Sequence, residues 1–281
     1  MSPLPGKMFE EYIGRLKLMA HVLDQAGINH VLWGDAINGL LIHTKLPKRI
    51  DYIVCDGMTE KACQALLADG LEPCKHGDQC MVRHPCNGPV AAAHVHLNST
   101  ILGNIDIPVA FWDKSFLLFA FPDLPSSPPS SDDPYYMPIR IPWTYYDKTS
   151  RRPAMKLTPT MMIRPGKTVE ALIWLMCRDR TPRGRLERGW EDEWVNALEF
   201  WVQEGKGLAQ KGIFDLYFLR HDFAPLWPYL RGVGGGRTSK DYRAYYLRLQ
   251  EKLRAENALP HTPQWEHKNR RDAEGTQGSN S

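Results

Sequence analysis

Arg178-Asp179-Arg180-Thr181-Pro182-Arg183-Gly184-Arg185-Leu186-Glu187-Arg188 sets five arginines and two acids within eleven residues. A guanidinium donates two parallel hydrogen bonds to a phosphate, and Pro182 and Gly184 break any helix. The run therefore predicts a shaped loop that grips an RNA backbone through Arg178, Arg180, Arg183, Arg185 and Arg188. Its bland counterpart is a solvated loop of ion pairs. Just downstream lies an acidic stretch, Glu191-Asp192-Glu193-Trp194-Val195-Asn196. On a helix, Asp192, Asn196 and Glu199 share one face, opposite the stripe of Trp190, Trp194 and Trp201. That face is solvated unless it looks into a cleft formed with the N-terminal part. There, Asp35 follows Trp33-Gly34, and Asp51 and Asp56 lie in Arg49-Ile50-Asp51-Tyr52-Ile53-Val54-Cys55-Asp56. Arg49 beside Asp51 repels a divalent cation and can neutralise the carboxylate.

A third group holds soft ligands. Cys74, His76, Cys80, His84 and Cys86 fall within thirteen residues, and His94 and His96 follow. Zinc accepts such ligands, but structural sites usually show paired C-x2-4-C knuckles, and none occurs here. The run reads as a hairpin edge with incidental reduced thiols. Metal binding is the lesser alternative, and no metal ligand is assigned.

The elements that must position these residues follow from periodicity. Phe9, Tyr12, Ile13, Leu16, Met19, Ala20 and Leu23 predict a helix over residues 8–26, stopped by Gly27. An apolar run, His30–Trp33, is followed by a helical stretch from Ala36 to Ile42, an alternating strand over 49–56 and a helix from Thr59 to Ala68. Residues 90–97 and 101–112 read as extended, with Gly103-Asn104 as a turn. The Pro- and Ser-rich stretch 121–134 has almost nothing to bury and is the best internal boundary. Beyond it, Ile139–Trp143 could return to the first sheet, 168–178 is apolar nearly all round, and a helix spans 239–257. The fold class is α/β (α+β): a mixed-sheet unit over residues 8–150, a helical part over 151–257, and a polar, disordered tail over 258–281.

Composition narrows the classes. The chain has 281 residues, 43% hydrophobic and 24% charged, with no run near the roughly 18 apolar residues of a membrane helix. Met1–Lys7 lacks the apolar core of a secretory signal, so a soluble, cytoplasmic protein without membrane contact is expected. A net charge of only +3 argues against wholesale nucleic-acid coating, yet the Arg178–Arg188 run alone sums to five minus two, also +3.

Over residues 28–70, the Gly34-Asp35 turn followed by the Asp51 strand resembles the nucleotidyltransferase fold of the DNA polymerase β type. In that family a Gly-Ser or Gly-Gly turn holds a phosphate, and an Asp-x-Asp pair binds two divalent metals. This chain has Arg49 where the first Asp of the pair would stand. The resemblance implies that Asp106, in Ile105-Asp106-Ile107, is a candidate third acid. Over residues 8–257 the Leu32-Trp33-Gly34-Asp35 turn, the Ile50–Asp56 strand and the loop Asp132-Asp133-Pro134-Tyr135-Tyr136-Met137 are similar to the fungal arginine-containing cyclodipeptide synthases of secondary metabolism. That family is associated with an Asp-Asp-x-x-Glu motif, which has two near-copies here, at Asp192–Asn196 and at Asp132–Tyr136. The resemblance implies arginyl-tRNA and a second aminoacyl-tRNA as substrates, with no cofactor, no metal and no obligate protein partner. It implies catalytic roles for Asp192, Glu193, Asn196, Asp35 and Asp51, and tRNA binding by the arginine run. Two alternatives stand beside it. One is a metal-dependent nucleotidyltransferase using Asp51 with Asp35 or Asp106; the other is a catalytically inactive module of that fold that binds a partner or RNA.

Overall fold

Apolar residues spaced by three and four wind the N-terminal segment into α1 (Gly6–Gln25), which buries Phe9, Tyr12, Leu16, Met19 and Leu23. Gly27 ends it at φ +67°, and the N–H groups of Gly27 and Ile28 return to the carbonyls of Asp24 and Leu23, each at 2.9 Å. The structure, a computed structural model, describes residues 6–42, 46–83, 89–99, 105–139, 159–179, 190–210, 219–233, 236 and 240–260. After α1 come β1 (His30–Trp33), α2 (Asp35–Ile42), β2 (Ile50–Val54) and α3 (Thr59–Ala68). These agree with the periodicity to within a residue or two at each end.

Next are β3 (Ala93–Ser99), β4 (Ile105–Asp113), α4 (Lys114–Leu117), β5 (Tyr136–Pro138) and β6 (Met161–Ile163). The six strands form one mixed sheet in the order β3-β4-β2-β1-β6-β5. Strand β1 runs antiparallel to β2, and β2 runs parallel to β4. All residues of β1 and β2 are buried, as central strands covered on both faces must be. The fold is mixed α/β.

Two expectations about organisation are corrected. The boundary at 150 and 151 cuts through the sheet, because β6 lies parallel beside β1 with Met162 opposite Leu32. The Pro- and Ser-rich stretch, expected as an internal boundary with almost nothing to bury, is tied into the fold as well. Phe121 and Leu124 are buried, the Tyr136 hydroxyl donates to the Pro122 carbonyl at 2.8 Å, and Arg164 donates to the carbonyls of Asp133 and Ser131. A segment poor in apolar residues is held by side-chain donors that come from other elements.

The helical part opens with α5 (Pro165–Asp179), buried along its whole length. Its polar residues are paired as burial demands: Lys167 donates to Glu170 at 2.7 Å, and Gln250 donates to the Cys177 carbonyl at 2.7 Å. α6 (Trp190–Gln210) and α8 (Lys240–Ala255) pack on α5, with α7 (Trp227–Leu230) between them in sequence. At the C-terminal end, Ala258 and Leu259 rest on the core; residues 261–281 of the expected tail lie outside the described residues. Among the described residues, no helix is long and apolar enough to cross a membrane.

Candidate functional site

A cleft opens where β1 ends. Gly34 turns the chain at φ +66°, a left-handed conformation that side chains with a Cβ resist. Its carbonyl accepts the N–H groups of Ile37 at 3.1 Å and Asn38 at 3.5 Å, so α2 starts directly behind the turn. Asp35 stands in the first turn of α2, where the helix dipole favours a carboxylate. Gly34 is also needed for space, since a Cβ there would meet Asp51 Oδ2 at 3.2 Å. Gly34→Ala is expected to cost at least ~1–2 kcal/mol from backbone strain alone. The urea midpoint reads this, and an unchanged midpoint would show that the turn relaxes freely.

Asp51 sits opposite Trp33 across the β1–β2 ladder and is 2% exposed. Its Oδ1 accepts Arg49 Nε at 2.7 Å and Trp112 Nε1 at 2.7 Å. The Arg49 guanidinium also lies 5.5 Å from the Trp112 ring centroid. Arg49 thus neutralises Asp51, and this donor set does not fit a divalent cation. Nor does Asp106 complete it. Strand β4 places Ala110 opposite Asp51, and Asp106 lies four residues back, about 13 Å along a strand. Asp56 is also elsewhere, with its Oδ1 accepting the Ser115 N–H at 2.7 Å.

Helix α6 supplies the facing wall. Trp194, Asn196, Phe200 and Trp201 line the same cavity, of about 490 Å³, as Trp33, Asp35 and Asp51. Asn196 is exposed and lines the cleft, while Glu199, on the same face, does not. Asp192 and Glu193 fall on the first turn of α6, but their side chains lie outside the described residues. Lys48 and Arg49 bring positive charge to the cavity, and Met81, 49% exposed, lines it from the loop after α3. One member was invisible to spacing. Asn38 is 7% exposed; its Nδ2 donates to Asp35 Oδ1 at 3.4 Å, while its Oδ1 is buried with no hydrogen-bond partner among the described residues. An orphaned acceptor costs about 1–3 kcal/mol.

The arginine run is corrected at its first member. Arg178 is 3% exposed and bidentate to Asp179, with Nε to Oδ1 at 2.6 Å and Nη2 to Oδ2 at 3.0 Å. It also donates to the Phe116 carbonyl and lies over the Phe116 and Phe119 rings at 5.0 and 5.5 Å. It is a core residue whose guanidinium is committed to Asp179. Arg180, Arg183, Arg185 and Arg188 lie outside the described residues. The second near-copy of the acidic motif builds a turn: Asp133 Oδ1 accepts the N–H groups of Tyr135 and Tyr136, each at 2.8 Å, and neither Asp132 nor Asp133 lines the cleft.

No protein-family model matches the chain, and neither a curated protein nor a solved structure matches it.

Away from the cleft, the soft ligands converge. Cys74, Cys80, His94 and His96 bring their ligand atoms within 4.8 Å of one another, and His76 and His96 both reach Asp106. Burial, with the charges of His96 and Arg83 adding to it, pushes the His94 imidazole down to about 4, so it is neutral at physiological pH. The alternation of His94 and His96 on a strand is the signal that could have revealed this grouping. Spacing along the cysteine run alone does not. His84 and Cys86 lie outside the described residues.

Proposed function

We propose that this protein is a tRNA-dependent cyclodipeptide synthase, making an arginine-containing cyclic dipeptide from aminoacyl-tRNAs, and that the cleft receives an aminoacyl end. One observation carries the reading. The exposed Asp35 carboxylate, with Asn38 beside it, stands in a cavity lined by Trp33, Trp194 and Trp201. Acceptors next to aromatic faces suit a guanidinium or an amine, which donates in a fork and stacks on indole. Asn196 adds an amide on the facing wall, and Lys48 supplies positive charge for a phosphate at the tRNA terminus. The β1–β2–β4 arrangement with its Gly34 turn supports a nucleotidyltransferase-like scaffold. The Arg49–Asp51–Trp112 cluster disfavours two-metal chemistry on it.

The chemistry balances without ATP. An aminoacyl ester is already activated. The α-amine of one aminoacyl group attacks the ester carbonyl of the other, expelling its tRNA, and the free α-amine of the second then attacks the first ester. Two ester bonds break, two amide bonds form, and each amine proton ends on a departing tRNA hydroxyl. Asp35 is the group placed to relay it.

The test is mass spectrometry of a reaction with charged tRNA. Asp35→Asn removes a charge-assisted hydrogen bond of about 1.5–3 kcal/mol, so product should fall roughly 10- to 100-fold. Asp35 is exposed, so the fold should survive. Product that forms equally after RNase treatment of the charged tRNA would sink the reading.

A further inference from the structure

The loop between α3 and β3 is fastened to the edge of the sheet at one end. Glu72 N–H donates to the His96 carbonyl at 2.9 Å, and His96 N–H donates to the Glu72 carbonyl at 2.8 Å. Cys74 therefore starts beside β3. The chain then turns through a single 3-10 turn, Gly77–Gln79, with Gly77 at φ +52°. In that turn the backbone N–H groups of His76 and Gly77 hydrogen-bond the Cys74 sulfur. Cys80 closes the turn and is buried. Across from it, His94 and His96 occupy alternate positions of β3 and so project from the same face. Cys80 Sγ is 3.3 Å from His94 Nε2 and 3.9 Å from His96 Nε2.

We propose that Cys74, Cys80, His94 and His96 hold one zinc ion in a closed, structural site. Zinc bonds of about 2.3 Å to sulfur and 2.0–2.1 Å to nitrogen place tetrahedral sulfur and nitrogen ligands about 3.6 Å apart. The two sulfur–nitrogen distances bracket that value. Two thiolates and two neutral imidazoles cancel the ion's charge, so the site can be buried without a net charge. Soft sulfur with imidazole selects zinc over magnesium or calcium.

Histidine 96 links this group to the second one. With Nε2 turned to the ion, its Nδ1 hydrogen-bonds Asp106 Oδ1 at 2.8 Å, and Asp106 Oδ2 lies 2.5 Å from His76 Nε2. A carboxylate behind a ligating imidazole fixes its tautomer and raises its basicity. Asp106 and His76 are thereby positioning residues for the metal ligand. The clip also has a consequence for the cleft. Met81, next to Cys80, lines the cavity while Val82 is buried in the core, so the ion would hold one wall of the cleft in place. The inference stands whether or not the cleft acts on aminoacyl-tRNA.

The full chain, expressed in zinc-supplemented medium and washed free of loose metal, should carry about one zinc per chain by elemental analysis. Cobalt exchanged into it should show a thiolate-to-cobalt charge-transfer band and the strong d–d absorption of tetrahedral cobalt. A chelator should lower Tm, and added zinc should restore it. Cys80→Ser and His94→Ala should each lose the metal, whereas Cys63→Ser, a buried cysteine outside the group, should keep it. Zinc-free protein, cobalt spectra of weak octahedral type, or zinc content equal in the Cys80→Ser and His94→Ala variants would each overturn the site. The cobalt spectrum needs no variant, so it decides the matter even where a variant fails to fold.

Discussion

Replacing Arg178 with methionine is expected to lower stability by about 3–5 kcal/mol, because it leaves a buried carboxylate without its partner. Asp179 is itself buried and accepts Trp194 Nε1 at 2.8 Å as well as the Arg178 fork. Trp194 belongs to α6 and Arg178 to the end of α5, so the pair joins the helices that wall the cleft. Burial already pushes the Asp179 carboxyl above its ordinary range, opposed by Arg178 and by the Trp194 N–H. Without Arg178 that opposition weakens, and the folded variant holds its proton to higher pH. In the unfolded chain the carboxyl titrates near 3.9. The contribution of Asp179 to the variant's stability is therefore fullest below about pH 4 and is lost as pH rises through the raised folded-state pKa. Denaturant midpoints across pH should show the deficit against wild type widest at neutral pH and narrowing toward pH 4. A variant of wild-type stability with weaker tRNA binding would instead return Arg178 to an RNA surface.

Arg49→Met is the second large effect, at about 3 kcal/mol, the low end for a buried pair because the Arg49 side chain keeps 17% exposure. Asp51 would keep the indole N–H of Trp112 on the oxygen that Arg49 leaves. Adding Asp51→Asn to Arg49→Met removes the uncompensated charge, so the double variant should recover more than half of the loss. The same pair of proteins examines the abandoned metal chemistry. If Asp51 is a charge held by Arg49 and nothing more, Mg²⁺ leaves the Tm of Arg49→Met unchanged. A Mg²⁺-dependent rise that vanishes in the double variant would mean that a metal site lies latent under the arginine.

Much of the fold was legible because its signals are short. The three-and-four spacing from Phe9 to Leu23, the apolar run His30–Trp33, and the alternation around Asp51 each report within a few residues. The Gly34-Asp35 turn and Asp51 were legible as cleft residues for the same reason. The arginine beside Asp51 also announced its charge compensation, since both lie on one short stretch of chain. Trp112 did not, because it reaches Asp51 only through the β2–β4 pairing, 61 positions away.

The remaining surprises have that same origin. Arg178 looked like the start of a basic loop, but α5 is central, and a cation at its end must find Asp179 and the Phe116 carbonyl. Asp106 looked like a third acid for Asp51, but strand register carries it to the opposite end of β4, behind His96. Residues 121–134 looked like an internal boundary with almost nothing to bury, but Arg164 and the Tyr136 hydroxyl pin their carbonyls.

The chain's residue order by itself determined the longer helices, the first four strands, the mixed α/β class and the Arg49–Asp51 neutralisation, because periodicity and near neighbours act over a few residues. Only the tertiary structure decided that Asn196 and Asp35 line one cavity, that Arg178 is core, and that two cysteines and two histidines come within 4.8 Å of one another. Those outcomes depend on register and helix packing between distant segments, and a side chain's chemistry is set by what such packing puts beside it.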